Sequence, residues 1–448
     1  MPNVLLIMSD EHNPFFSGPY GHPFVQTPTL DRLAAAGTVY ENTYCPSPLC
    51  LPSRSAFMAG RRVHELQSYS NCNLNLRPEW PSYGGELRRQ GVHTVYLGKT
   101  DVYAPGAELG FSEMILPLER PLPGDTNHGR RPLSVRPDGA ERAFMFGPAE
   151  AVFPLDVQVT DAALEWLGST APRLDRPWAM TVNLCKPHFP HHVTQDLWDL
   201  YPQGADLPDY GPEHPSAQHE YARDLRTHFQ TDAFTEEQIR GLRRGYLGCV
   251  TFMDRQVGRL LAALERSGVL AETDVIYTSD HGEMLGKFGM WWKCSLYEDS
   301  VRVPLIAAGP SFDRGSRVGT PVDLHDVRAS LFSCTGVRNP EDWCGRALQE
   351  IPGHDPERVV FSEYHGHGTR SGAYLVRKGK WKLIFHMAAP HQLFDLERDP
   401  HECDNLYDLE PGVAAELEAD LRLFCHPEHE NERAHAFEEE QLASPAST

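Results

Sequence analysis

The sequence has no stretch of eighteen uninterrupted apolar residues, no CxxC pair, no internal repeat and no extended basic run. The first absence leaves no window for a membrane-spanning helix, which needs about 20 mainly apolar residues. The amino terminus, MPNVLLIMSDE, carries no basic leader and no small-residue cleavage site, so its short apolar run reads as a first strand. The expectation is a soluble cytoplasmic protein with no membrane partner. Positive charge is also scarce, with 41 Lys and Arg against 62 Asp and Glu and a formal net charge of −21. Phosphate contacts need clustered Lys and Arg, so this excludes nucleic acid as a partner. Cysteine is present ten times, but only Cys45 and Cys50 approach metal-ligand spacing, and they lack a second pair. Most of these thiols are expected to be buried.

What is present points to an α/β protein. A chain of 448 residues buries roughly 75% of its unfolded surface, enough for a large core or two packed domains. Apolar, β-branched runs at Val4 to Met8, Val92 to Leu97, Ala179 to Leu184 and Val275 to Thr278 each end in a polar cluster. Helical patterns lie between them. One, at Leu30 to Ala36, is opened by Thr27-Pro28 and stopped by Gly37. The longest starts at Thr235, whose TEEQ is a capping box, and keeps helical spacing through Ile239, Leu242, Tyr246, Val250, Met253, Val257, Leu260 and Leu264. Alternating strands and helices give a mainly parallel, mixed sheet sandwiched by helices. Ligands in such sheets sit beyond the carboxyl ends of the strands, so the polar clusters should gather on one edge.

The last hundred residues read differently. AYLVRKGKWKLIFH, residues 373–386, makes a hairpin turning at Lys-Gly-Lys, followed by turn-rich sequence and a helical stretch from Pro411 to Phe424. This divides the chain into a catalytic α/β domain over 1–355, an α+β subdomain over 356–426, and an acidic, mobile tail over 427–448.

Asp10 and Glu11 close the first strand, and Asp280 and His281 close a later one. Three carboxylates on one sheet edge repel strongly unless a cation sits between them, and such oxygen-rich sites suit a hard divalent ion such as Ca²⁺. Asp10 and Asp280 could equally cap the helices that follow. Cys50, in CPSPLCLPSRSAFMAG, could be a zinc ligand, half of a disulfide, a nucleophile or a precursor of something else. Its own neighbours leave all four open.

The string Cys50-Leu51-Pro52-Ser53-Arg54 resembles the C-x-P-S-R signature of formylglycine-dependent sulfatases of the alkaline-phosphatase superfamily. The resemblance spans nearly the whole chain: NVLLIMSDE, TPTLDRLAAAGTVYENTYCPSPLCLPSR, LGK, KPHFP, TSDHGEMLG, LYEDSVRVPLI and LFDLERDPHECDNL. WWKCSLYEDSVRVPLI and FCHPEHENERAH look most like the choline-sulfatase and phosphonate monoester hydrolase branch. The resemblance implies that Cys50 is converted to formylglycine by a formylglycine-generating enzyme. An aldehyde hydrate gives an adduct that collapses and releases sulfate, whereas a thiol would give a stable thiosulfate adduct.

It further implies a divalent metal, Ca²⁺ or an ion such as Mn²⁺, held by Asp10, Glu11, Asp280, His281 and the modified Cys50. Glu11 stands where relatives carry Asp or Gln. Arg54 would orient the formylglycine diol, while Lys99, Lys293 and Asn71 would bind the sulfate group and His188 would protonate the leaving oxygen. Where relatives have G-K-x-H, this chain has Asp101, so Asp101 or His64 would take over from that histidine. His191 and His192 read as ordinary loop residues. Trp291-Trp292 suits either an aromatic wall for a cationic or aryl leaving group or simple core.

The expected substrate is a small-molecule sulfate ester. A phosphodiester or phosphonate monoester hydrolase using the same site, and an unconverted sulfatase-like binding protein, are the alternatives. The specificity loops in 105–155 and 190–232 match no recognition pattern, and the oligomeric state stays open, a homo-oligomer included.

Overall fold

The run Asn3–Asp10 forms strand β1, and every one of its residues is buried. A strand apolar on both faces belongs in the middle of a sheet covered on both sides, and that is where β1 lies. The computed structural model describes residues 3–74, 76–201 and 207–443. The remaining strands of this sheet are β2 (Thr38–Tyr40), β3 (His93–Lys99), β4 (Glu113–Leu118), β5 (Trp178–Pro187), β6 (Thr273–Ser279), β7 (Leu305–Ala308) and β8 (Ser316–Val318). Their order is β8-β2-β7-β6-β1-β5-β3-β4.

The block β6-β1-β5-β3-β4 is parallel throughout, with Leu6 opposite Ile276 on one side and Thr181 on the other. β7 runs antiparallel to β6 and β2, which makes the sheet mixed. Four adjacent strand ends therefore point the same way: Asp10 ends β1, Lys99 ends β3, Lys186-Pro187 end β5, and Asp280 follows β6.

Helices cover both faces. Helix α1 (Pro28–Ala36) begins at a proline in its first turn. Helix α2 (Cys50–Ala59) is buried along all ten residues and stops at Gly60, whose φ of 63° is the left-handed conformation glycine favours. Helix α3 spans Pro154–Ser169. Helix α4 (Glu236–Arg266) starts with the capping box foreseen at Thr235, the Thr235 hydroxyl accepting from the Gln238 N–H while the Gln238 side chain accepts from the Thr235 N–H.

The C-terminal part adds an antiparallel sheet of β9 (Val359–Tyr364), β10 (Ala373–Lys378), β11 (Trp381–His386) and β12 (Gln392–Asp395), in that order. Helix α5 (Pro411–Phe424) packs Leu417 and Leu421 against Phe361, Tyr374 and Leu383 of this sheet. This subdomain is joined to the main domain through a buried charge cluster. Lys382 of β11 donates to Glu298 at 2.9 Å and to Glu402 at 2.6 Å, and all three side chains are almost fully excluded from solvent.

The segment read from sequence as a mobile acidic tail is instead a helix, α6 (Pro427–Ala443). It docks through polar groups: Asn431 Oδ1 accepts from the Gly372 N–H at 2.7 Å, Glu438 accepts from the Arg130 N–H at 2.7 Å, and Gln441 donates to the Leu74 carbonyl at 3.1 Å. A search for apolar periodicity misses such a face, because Glu430, Asn431, Glu438 and Gln441 outnumber its apolar members Ala434 and Phe437. Residues 444–448 lie outside the described residues.

Removing one member of a buried charge cluster leaves uncompensated charge behind. Lys382→Ala is expected to destabilise the protein by about 3–5 kcal/mol, read as a shift in the denaturant midpoint. A loss under about 1 kcal/mol would mean that Glu298 and Glu402 do not depend on this lysine.

Candidate active site

The carboxyl edge of β6, β1, β5 and β3 meets the start of α2, and the charged residues named from the sequence converge there. Asp10, Glu11 and Asp280 are buried, as are Arg54, Lys99 and Lys293. Each acid has a basic partner. Lys99 Nζ donates to Asp10, Arg54 Nε donates to Asp280 at 2.6 Å, and Lys293 Nζ lies 3.3 Å from Glu11. Arg54 also reaches the carbonyl of Lys99 and the side chain of Asn183, so one guanidinium ties the ends of β3, β5 and β6 together. Its neighbour in the motif, Ser53, donates to the Asp280 carbonyl at 2.7 Å. The close packing of β3 on β5 requires Gly98, since a Cβ there would lie 2.2 Å from the Asn183 carbonyl oxygen.

These pairings set the protonation of the site. Burial opposes ionisation of Asp10, but Lys99 together with His188 and Lys293 holds the carboxyl below its ordinary pKa. For Asp280 burial dominates, and the pKa is raised despite Arg54. Burial lowers the pKa of His281, yet Asp280 and Cys50 more than compensate and carry it up to about 9. The Cys50 thiol would be pushed up by burial, but Lys293, Lys99 and His281 bring it well below the ordinary thiol value.

Asp10, Cys50, Asp280 and His281 each offer one ligand atom, and these atoms all lie within 4.8 Å of one another. Cys50 Sγ is 3.2 Å from His281 Nε2 and 3.8 Å from Asp10 Oδ1. This buried set of two carboxylates, an imidazole and residue 50 fits a divalent cation. Glu11 lies outside the set. Its backbone has φ of 70°, and its carboxylate faces Lys293 and His188 Nε2, the latter at 3.4 Å. Among the described residues neither Glu11 carboxylate oxygen has a hydrogen bond of good geometry, and the buried carboxyl of Glu283 beside it is raised well above its ordinary pKa by burial and by Glu11.

His188 donates from Nδ1 to the Phe189 carbonyl at 2.6 Å, and its Nε2 lies 2.5 Å from Lys293 Nζ. Lys293 sits between Trp292 and Cys294, two residues with positive φ, and the segment is pinned by Trp292 N–H to Glu283 at 2.6 Å and Cys294 N–H to the Pro48 carbonyl at 3.0 Å. Asn71 accepts from the Leu51 N–H at 3.0 Å and so satisfies an orphan donor at the start of α2. That leaves its amide NH₂ for the cavity it lines.

The two groups considered as stand-ins for the family's histidine part company. Asp101 is at the edge of the site, 3.6 Å from Lys99 Nζ, and grips Arg120 through both oxygens at 2.9 and 2.6 Å. His64 pairs with Glu363 at 2.8 Å, in contact with the C-terminal sheet. His191 is fully buried against Tyr246 and Trp292 and serves packing. Of the paired tryptophans, Trp292 faces the cavity and Trp291 packs against Phe234.

A cavity of about 630 Å³ is lined by Asp10, Lys99 and Lys293, the neighbours of the buried Cys50. Its inner end carries Asp10, Lys99, His188 and Lys293, and its outer wall carries Arg120, Asp125, Arg136 and Arg142. Sequence reasoning left that outer group unassigned. All four come from residues 118–142, a stretch with almost no regular structure and therefore no periodic signal.

The chain is similar to known proteins over most of its length. Residues 2–337 match the sulfatase family, and residues 286–423 match the family described as N-sulphoglucosamine sulphohydrolase, C-terminal. The chain is 32% identical over 425 residues to a choline-sulfatase of Rhizobium meliloti (strain 1021), covering 90% of this chain and 82% of that protein. It is 29% identical over 471 residues to arylsulfatase K of Danio rerio, covering 98% and 87%. In fold it is similar to a phosphonate monoester hydrolase from Silicibacter pomeroyi, with a TM-score of 0.74 at 22% identity over 94% of each chain.

The assignment of His64 to Glu363 is testable by pH. Burial lowers the His64 pKa, but Glu363 raises it above the ordinary 6.5. The stabilisation is therefore complete below about pH 6.5 and is lost as the pH rises through the folded value. Glu363→Gln is expected to cost about 1–3 kcal/mol at pH 6 and distinctly less at pH 8.5, by chemical denaturation at both. An equal cost at the two pH values would show that Glu363 acts through packing rather than charge.

Proposed function

Because the chain belongs to the sulfatase family it is a sulfuric ester hydrolase, and we propose that it works through an oxidised Cys50 and a divalent cation. The observation that carries this reading is the placement of Cys50. It opens α2 inside the buried set of Asp10, Asp280 and His281, with Lys99 and Lys293 close enough to depress its pKa. A formylglycine-generating enzyme would supply the oxidation.

After conversion and hydration, residue 50 would present two hydroxyls on one carbon, one to attack sulfur and one to help expel sulfate, and the cation would lower the pKa of the attacking hydroxyl. Asp10, Asp280, His281 and one oxygen of residue 50 would hold that cation. A donor set that includes an imidazole suits an ion such as Mn²⁺ better than Ca²⁺, which prefers an all-oxygen shell.

The chain's own groups do the rest. Lys99, Lys293 and Asn71 would bind the sulfate oxygens and stabilise charge as the ester bond breaks. Arg54, fixed by Asp280 and Asn183, would keep the reacting carbon in line. With its ring oriented by the Phe189 carbonyl, His188 would relay a proton through Nε2, the nitrogen that faces Lys293, to the leaving oxygen. Asp101 would act through Lys99 and Arg120. The similarity to a choline-sulfatase and to arylsulfatase K supports a small sulfate ester as substrate.

Two outcomes test this reading. The peptide carrying Cys50 is expected to be about 18 Da lighter than its thiol form when the protein is made in a converting host, and Cys50→Ala should abolish turnover. A thiol of full mass in an active preparation would overturn the proposal. Leaving-group protonation by His188 predicts that His188→Ala slows phenyl sulfate by about 10²-fold or more but 4-nitrophenyl sulfate only a few-fold, since the better leaving group needs no acid. An equal loss on both would assign His188 to binding.

A further inference from the structure

On the reading that the sulfate lies against Cys50, Lys99 and Lys293, the leaving alcohol occupies the outer part of the cavity. We propose that this alcohol carries a second oxyanion, a carboxylate or another sulfate, held by Arg142 with Arg136 and Arg120, and that the outer cavity rejects a quaternary ammonium.

Three observations carry the proposal. The first is the balance of charge. Arg120, Arg136 and Arg142 all line the outer wall, where the single carboxylate is Asp125. The carboxylates that steady Arg120 and Arg142, namely Asp101 and Asp138, do not line this cavity. Asp125 is itself engaged, salt-bridged to Arg136 and 3.8 Å from His367 Nδ1, so it does not offer a free anion to a cationic ligand.

The second is the state of the aromatic surface. A quaternary ammonium is recognised by open aromatic faces. Here Phe189, Phe229 and Trp292 line the cavity, but the Arg142 guanidinium already stands over them, 4.4 Å from the Phe189 ring centroid and 5.8 Å from each of the other two. The place an ammonium would take is filled by a fixed cation, which also repels it. The guanidinium, steadied by Asp138 on its Nε and Nη2 side, has further N–H donors on Nη1 and Nη2 suited to charge-assisted hydrogen bonds to an oxyanion.

The third is that Arg136 and Arg142 crowd one another at Asp138, which lies 3.7 Å from Arg136 Nη1 and 3.1 Å from Arg142 Nη2. Burial and the neighbouring Arg136 lower the Arg142 pKa, so an anion between them relieves repulsion as well as forming hydrogen bonds. The overall charge of −21 does not override this. Charges farther than about 8 Å are largely screened at physiological ionic strength, and the groups facing the ligand are local.

The test uses a matched series: phenyl sulfate, 4-carboxyphenyl sulfate, 1,4-phenylene bis-sulfate and 4-(trimethylammonio)phenyl sulfate. The trimethylammonio compound has the best leaving group, so intrinsic reactivity works against the expected order. With the metal-loaded, converted enzyme, kcat/KM for the carboxylated or bis-sulfated ester is expected to exceed that for phenyl sulfate by about tenfold or more, with the trimethylammonio ester lowest. Which of the two anionic esters leads identifies the oxyanion. Arg142→Gln should collapse the ratio of anionic to neutral ester towards one, and Arg136→Gln should do so in part.

A trimethylammonio ester that equals or outruns the anionic ones, or a ratio untouched in both variants, would overturn the proposal. The same four compounds bound to Cys50→Ala, measured by calorimetry, give the charge preference without turnover. If no ester is hydrolysed but the anionic ones bind this variant best, the inference stands and the sulfatase reading fails. An ammonium preference in binding overturns the inference whatever the catalysis.

Discussion

Ion pairing among buried charges at the end of the parallel sheet is the constraint on which the rest depends. Asp10, Glu11 and Asp280 are countered by Lys99, Lys293 and Arg54, and all six are buried, none more than 8% exposed. Ionised groups in such a place cost several kcal/mol each unless paired, so the pairs must be placed together or not at all. This explains why α2 enters the core with all ten residues buried: its Arg54 and Ser53 both grip Asp280, and its first turn faces Asp10 and His281. The arrangement is also poised to exchange partners. Lys99 now serves Asp10, and an incoming anion can take that ammonium only where Asp10 has another cation to lean on.

The C-terminal subdomain matters to this edge through a chain of contacts. Helix α6 holds Arg130 at both its backbone N–H, through Glu438, and its guanidinium, through Asn431. Arg130 lies within the irregular stretch that also carries Arg120, Arg136 and Arg142, and it donates to the His365 carbonyl beyond β9. A stretch with so little regular structure keeps its arginines in place because buried polar groups on α6 and β9 fix its middle. The acidic helix thus belongs to the architecture of the cavity, although it lies far from Cys50 in sequence.

Much of this was legible in the sequence, for identifiable reasons. The four central strands announce themselves as apolar runs ending in polar clusters, and parallel strands bring such clusters to one edge without further information. The fold class and the capped helix at Thr235 follow from spacing alone. Cys50 needed the C-x-P-S-R resemblance, because its neighbours were compatible with several kinds of thiol chemistry. Beyond the arginines of the irregular stretch 118–142, three things were not legible. The direction of the Glu11 side chain depends on a positive φ that no residue pattern signals. The pairing of His64 with Glu363 joins residues about 300 positions apart. The docking of α6 rests largely on polar contacts beside Ala434 and Phe437, and those look like solvated surface when read along one chain.

Glu11 shows how the two halves of the site are kept distinct. Its left-handed backbone conformation costs roughly 1–2 kcal/mol, and Trp292 and Cys294 on either side of Lys293 carry similar strain. The strain turns the carboxylate at the end of β1 away from Asp10 and towards Lys293 and His188. Had Glu11 followed Asp10 into the cluster of Asp10, Asp280 and His281, Lys293 would be left without an anion and the cluster would hold one carboxylate more than its cations balance. The strained backbone is therefore maintained by electrostatics: the conformations are expensive one at a time, and together they bring Glu11 to Lys293 while Asp10 keeps Lys99 and Asp280 keeps Arg54.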